Sequence, residues 1–486
     1  MGILEYIVLR PENGMPKNII IFSDGTGLRG GILVDERRSN IYKLYRASRC
    51  GPDSCVNPAD QVVFYDPGIG TLPPGSGFIE NLSRMIYNLV SQALGLGLTS
   101  NIIDCYAALI KLWRQGDQIF LFGFSRGAYT IRCLAAVIAK CGIPTQMHDG
   151  SALRYDANVI NTIAKRAVKK VYQHTSSWVE KEATPRQLEL LKQRDALANQ
   201  FRRQFGSGDA TGANVYPHFI GLFDTVASLS NPVALAILIA CTPLITATFA
   251  TPIYFVLHFF GMSVRWRLLF VGLTAAVILL GWFSNLLYRV RVAFHLPGYL
   301  WYKTLHLTEA RMNFYDRTLN PNVPFARHAL AIDERRSSFQ RVGWGGPAAA
   351  LEPTDQSFEQ LWFAGDHSDV GGSYEENESR LSDISLEWML GAAVDAGLKY
   401  DPAFLHLFPD PAGPQHDETK TSIFRLAPKR PRRIPPDAPL HDSVLKRFGA
   451  NEVLNCDLVE AYRPENLRDH VRVRHWYEEE SHARTN

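Results

Sequence analysis

Residues 118–139 read QIFLFGFSRGAYTIRCLAAVIA, and the serine held between two glycines decides how the chain is understood. Ile119 to Phe122 form a short apolar run with the character of a buried strand. From Gly127 onward, AYTIRCLAAVIAKCG is apolar at helical spacing and ends on Gly142, which predicts a helix with a glycine C-cap. A strand that breaks into a helix at G-F-S-R-G predicts the sharp turn that carries a nucleophilic serine at its tip. Such a turn leaves no room for side chains at its flanks. Gly123 and Gly127 fit that requirement, and Ser125 becomes the candidate nucleophile. So short a motif recurs by chance in Gly-rich loops, and its surroundings must support it.

At 486 residues the chain is long enough for one large domain with insertions, or for two or three domains. A net charge of +3 shows no general polyanion-binding signature, so nucleic acid is not an expected partner. The seven cysteines are scattered, and no second pair joins Cys50 and Cys55 to complete a zinc site, so reduced thiols are expected. The opening MGILEYIVLRPENG lacks the basic-then-apolar pattern of a cleavable signal peptide, and Tyr6 stands where a myristoylation signal wants Ser or Thr.

Working outward from the serine, strands and helices alternate. Ile19 to Phe22 is an apolar run stopped at Asp24-Gly25, SNIYKLYRAS reads as a helix capped by Ser39, and DQVVFYDPGIGT reads as a second strand. A helical stretch leads to the strand before Ser125. This alternation predicts an α/β fold, a doubly wound, mostly parallel sheet covered on both faces, with chemistry at the C-terminal strand ends. Residues 1–144 are the first half of that core, and 145–213 a charged helical insertion, read as a solvated cap or as a lid. Residues 214–231 hold the strand YPHFIGLF that ends at Asp224.

The character then changes. Two long apolar runs within 232–290 flank Arg265 and Arg267, and each is long enough for the roughly 20 residues a bilayer helix needs. An arginine at mid-bilayer would cost about 2.5–3.5 kcal/mol, so the pair is expected at a water interface, at the tip of a transmembrane or re-entrant hairpin. Buried core helices are the bland alternative. The α/β pattern resumes over 291–400, where LWFAGDHSDVGGSY places His367 in a loop after a strand. Residues 401–486 form a small C-terminal extension that carries the linker-like APKRPRRIPPDAP.

An activated serine needs a base, and the base needs an acid to fix its tautomer. Of the 14 histidines, His367 is best placed, and Asp224 sits in the equivalent position after its own strand. The order Ser125, Asp224, His367 is that of an α/β-hydrolase, with Asp366 and Asp369 as rival acids. The oxyanion hole is expected from the Arg126 N–H together with Gly25 or Thr26. No metal or other cofactor is required.

IIIFSDGTG, VVFYDPGIGT, FLFGFSRGAYTIRCLAAVI, FIGLFDTVAS, ALAIDERRSSF and LWFAGDHSDVGGSY resemble, in order, the successive blocks of the catalytic domain of type VI secretion phospholipase effectors, Tle-type lipases. The resemblance runs from about Asn18 to Leu398. It implies a Ser–Asp–His lipase acting on phospholipid or another lipid ester, and maps its triad onto the same three residues. No secretion-loading segment is visible, so a secretion or immunity partner leaves no mark here. The resulting expectation is a membrane-associated serine hydrolase of phospholipase A type, working through an acyl-enzyme. Its expected place is a bacterial inner membrane, with the catalytic domain in the cytoplasm. A thioesterase, a soluble-substrate esterase and a membrane-anchored scaffold without chemistry are the alternatives.

Overall fold

The computed structural model describes residues 16–25, 37–68, 97–178, 182–226, 242–288, 290–308, 319–337, 339, 342–344, 358–420, 429–456 and 458–485. Six strands form one sheet: β1 Asn18–Ser23, β2 Gln61–Asp66, β3 Gln118–Phe124, β4 Phe219–Phe223, β5 Phe325–Ala331 and β6 Phe358–Phe363. They lie in the order β2-β1-β3-β4-β5-β6, and every neighbouring pair is parallel. The chain runs outward from β1 to β2 and then crosses back to β3, so the order reverses between β1 and β3. In parallel sheets that reversal opens a crevice at the carboxyl ends of the strands.

The central strands are apolar on both faces because helices cover both. Ile19, Ile21, Ile119, Leu121, Ile220 and Leu222 face one side. There α2 (Leu98–Leu112) and α3 (Arg126–Cys141) pack over them. The next residues along the same strands, Ile20, Phe22, Phe120, Phe122 and Phe219, face the other side, toward α1 (Asn40–Ser48) and the later helix Arg380–Asp395. The Phe22 and Phe122 rings stack there at 5.2 Å. Gly221 is fitted to this layer: a Cβ on it would lie 2.6 Å from the Phe122 ring and 2.7 Å from Met389 Sδ.

The insertion between β3 and β4 contains α4 (Ala157–Lys165) and α5 (Pro185–Phe205). Their apolar residues, including Ile160, Ile163, Ala198 and Phe201, merge with the same core cluster as α2 and α3. Arg186, Lys192, Asp195 and Arg203 of α5 lie on the outer surface of that layer, whereas Arg194 and Arg202 are buried in it.

The apolar runs form two helices, α6 (Thr242–Phe259) and α7 (Val264–Tyr288). Arg267 Nη1 meets His258 Nδ1 at 2.8 Å near their junction. Among the described residues no helix is long and apolar enough to cross a membrane. The membrane-spanning part of the hairpin expectation is therefore not shown by these helices. Residues 227–241, which lengthened the first run, lie outside the described residues. Apolar side chains such as Phe255, Phe259, Phe260, Leu268 and Leu280 are nonetheless exposed.

A correction concerns the linker-like stretch of the C-terminal extension. Arg432 and Ala438 in the supposed linker, and Leu440 just after it, are buried. Leu440 joins Trp362, Val444 and Phe448 in a third apolar cluster against β6. The Trp362 N–H donates to Pro439 O at 3.0 Å and the His441 N–H to Trp362 O at 3.0 Å, so the stretch extends the outer sheet edge.

Candidate active site

β3 ends at Phe124, and Ser125 follows at φ +57° and ψ −121°, a conformation L-residues rarely adopt. Two glycines make the turn possible. A Cβ on Gly123 would lie 2.6 Å from Ala128 Cα, and one on Gly127 would lie 2.0 Å from Ser23 O. The serine is thus carried between a strand and the first turn of α3 while the turn presses on the end of β1. Gly68, after β2, completes the convergence, since its Cβ would lie 2.5 Å from Gly25 O. The ends of β1, β2 and β3 therefore meet.

Asp224 follows β4 at φ +36°, a second strained position at a strand end. Its N–H donates to Ala329 O at 2.8 Å, and its Oδ1 accepts from the Ala331 N–H at 3.0 Å. Its Oδ2 lies 2.5 Å from His367 Nδ1. A carboxylate only accepts, so Nδ1 carries the proton and Nε2 keeps its lone pair. His367 Nε2 is buried with no hydrogen-bond partner among the described residues. The imidazole stacks on the Phe124 ring at 4.6 Å and meets the Phe339 ring edge-on at 5.1 Å. Phe124 is the residue before Ser125, so the stacking brings the ring to the elbow.

Electrostatics divide the pair. Burial pulls His367 below its usual 6.5, with the Asp224 hydrogen bond opposing. Burial alone would raise Asp224, but Arg432 and His367 together hold it well below the ordinary carboxylate range. The acid is ionised and the base neutral at neutral pH.

The rival acids are engaged elsewhere. Asp366 caps the short helix α8 (His367–Gly371), with Oδ1 accepting from the Ser368 and Asp369 N–H groups, each at 2.9 Å. Asp369 closes the reciprocal capping box and lies 2.7 Å from His416 Nδ1. His367 therefore begins a helix rather than lying in a loop; the D-x-x-D spacing was the signal available for it.

Of the expected oxyanion donors, Arg126 heads α3, where a first-turn N–H has no helical partner. The Gly25 N–H is committed to Asp24 Oδ1 at 2.7 Å and so is not a free donor as it stands. Thr26 lies outside the described residues. Asp24 also accepts from Ser39 Oγ at 2.5 Å and Tyr65 OH at 2.7 Å, and burial raises its pKa to about 6. The Arg126 side chain has a buried Nη1 without a partner among the described residues, and burial lowers its pKa to about 10.

What sequence reading missed is Arg432. Its Nη1 donates to Asp224 Oδ1 at 2.5 Å and its Nη2 to Asp224 Oδ2 at 2.9 Å. In KRPRR it looks like any solvated basic residue, and nothing in the spacing singles it out.

The uncharacterised protein YEL023C of Saccharomyces cerevisiae is 26% identical over 458 residues, which cover 81% of this chain and 59% of that protein. The chain thus spans less than two thirds of its length. Among solved structures, an uncharacterised protein from Pseudomonas aeruginosa aligns at 17% identity and TM-score 0.35, covering 82% of this chain and 48% of that one. The Tle1 effector bound to the VgrG spike of the Type 6 secretion system aligns at 14% identity and TM-score 0.34, covering 83% and 78%. The family model for the catalytic domain of type VI secretion system phospholipase effectors, Tle1-like, matches residues 17–392, and the chain belongs to that family.

Proposed function

We propose that the protein is a membrane-associated lipase that cleaves carboxylic esters of phospholipids, with Ser125 as nucleophile, His367 as general base and Asp224 as its acid partner. The observation that carries this reading is the Asp224–His367 hydrogen bond of 2.5 Å, which leaves Nε2 unpartnered on a ring stacked against Phe124, the residue before a serine in a strained strand-to-helix turn. In the proposed reaction Ser125 Oγ attacks the acyl carbonyl as its proton passes to Nε2. The imidazolium then forms against an ionised carboxylate, and its proton goes to the departing alcohol. Water, deprotonated by the same nitrogen, releases the acyl group. The Arg126 N–H at the head of α3 would face the developing oxyanion.

Two features support a phospholipid. The partly buried Arg126 guanidinium beside the nucleophile suits an anionic group on the substrate. The exposed apolar side chains of α6 and α7 suit a lipid interface, in which helices lie at headgroup depth without spanning. The test is hydrolysis of phospholipid vesicles by purified protein, with products separated by mass spectrometry. Fatty acid and lysophospholipid are expected. Release of a phosphorylated headgroup with diacylglycerol, or no lipid product, would contradict the reading.

A further inference from the structure

We propose that Arg432 is a positioning residue of this site, clamping the Asp224 carboxylate side-on so that one oxygen stays turned toward His367. The inference rests on the Ser125–His367–Asp224 reading and reaches beyond the family-matched stretch, which ends at residue 392. The clamp is two-pronged, through the contacts of 2.5 and 2.9 Å. This fork geometry fixes the plane of a carboxylate, which a point charge cannot do. The same guanidinium donates to Ala331 O at 3.0 Å and to Phe339 O at 2.8 Å. It therefore ties the acid to the end of β5 and to the residue whose ring packs edge-on against the imidazole. Both partners are fully buried, so in the folded protein the guanidinium rather than bulk water satisfies the carboxylate.

Arg432 also sets how strongly Asp224 acts on the base. The charged groups acting on His367 are Asp224, Arg336 and Glu334, and Arg336 and Glu334 are paired with each other at 2.6 Å. Asp224 is thus the anion left to stabilise the imidazolium, and Arg432 balances part of its charge. Removing that cation strengthens the carboxylate's pull on the proton and raises the histidine. Because kcat/KM requires neutral His367 in the free enzyme, the acid limb of its pH profile moves to higher pH.

The experiment measures kcat/KM across pH on a short-chain p-nitrophenyl ester for Arg432→Ala and Arg432→Lys, with and without added guanidinium ion. Folded Arg432→Ala is expected to lose about 10²-fold through misplacement of the acid, with its acid limb raised by about one pH unit. Guanidinium should restore roughly tenfold by refilling the fork. A folded variant with wild-type rate and limb overturns the proposal, as does a loss that guanidinium leaves untouched with the limb unmoved. If Arg432→Ala does not fold, Arg432→Lys decides. It keeps the charge without the fork, so a roughly tenfold fall in kcat is expected, and a wild-type kcat overturns the clamp. Asp224→Asn separates the two readings. If it is crippled while both Arg432 variants are normal, only the clamp fails; if it too is normal, the triad assignment fails.

Discussion

Two regions of this molecule look alike as sequence and behave in opposite ways. The strands IIIF of β1 and IFLF of β3 are apolar runs that vanish into the interior. The helices α6 and α7 are as apolar, yet Phe259 is 86% and Phe260 73% exposed. What differs is the partner. Each strand face meets a helix layer whose aromatic and aliphatic side chains fit it, and burial there stabilises by about 25 cal/mol per Å² of apolar surface. The hairpin's exposed side chains meet no such layer among the described residues. Composition tells how much a segment gains by leaving water; only topology tells whether the chain itself supplies the place.

The contrast can be broken at its catalytic centre first. Ser125→Ala should leave the fold intact and lower turnover by up to about a millionfold, as removal of a triad serine does, measured on a soluble ester. Asp224→Asn should cost on the order of 10⁴, because an amide favours the wrong imidazole tautomer. Asp369→Asn, whose carboxylate pairs with His416, should cost far less in turnover. A crippling Asp369→Asn beside a mild Asp224→Asn would reverse the assignment.

The packed region should be as intolerant as its geometry implies. Gly221→Ala must push against the Phe122 ring and Met389, a cost of about 1–3 kcal/mol in thermal or denaturant unfolding. The exposed hairpin should behave in the opposite way. Phe259→Ser with Phe260→Ser should leave unfolding unchanged and weaken co-sedimentation with phospholipid vesicles by roughly tenfold or more. Unchanged vesicle binding would show that the hairpin's exposed rings do not serve a lipid surface. The smallest effect is in pH. His367 lies below 6.5, so kcat/KM should climb with pH and be level by about pH 7. A limb that continues to rise above that would point to a different base.

Much of this was legible in the chain. The strands before Asp24, Ser125 and Asp224 were marked by apolar runs cut off by turn residues, and Gly123 and Gly127 by the steric demand of the elbow. Ser39 at the head of α1, accepting from the Tyr42 N–H at 3.0 Å, and Gly142 at the end of α3 were legible as caps. The unreadable parts share one cause, which is that distant segments meet. KRPRR carries the signature of a solvated linker until its second arginine is placed against a carboxylate 208 positions away. The Gly25 N–H was a reasonable oxyanion donor until the Asp24 side chain folded back to take it. The apolar runs satisfied a length rule for bilayer helices, which counts residues without showing what surrounds them.

The claim most directly open to test is that Ser125 is the activated nucleophile. Intact-mass and peptide-mapping measurements after treatment with a fluorophosphonate probe should show one adduct, on the peptide containing GFSRG, and none in Ser125→Ala. An adduct that persists in Ser125→Ala, or its absence from folded wild-type protein, would contradict the account.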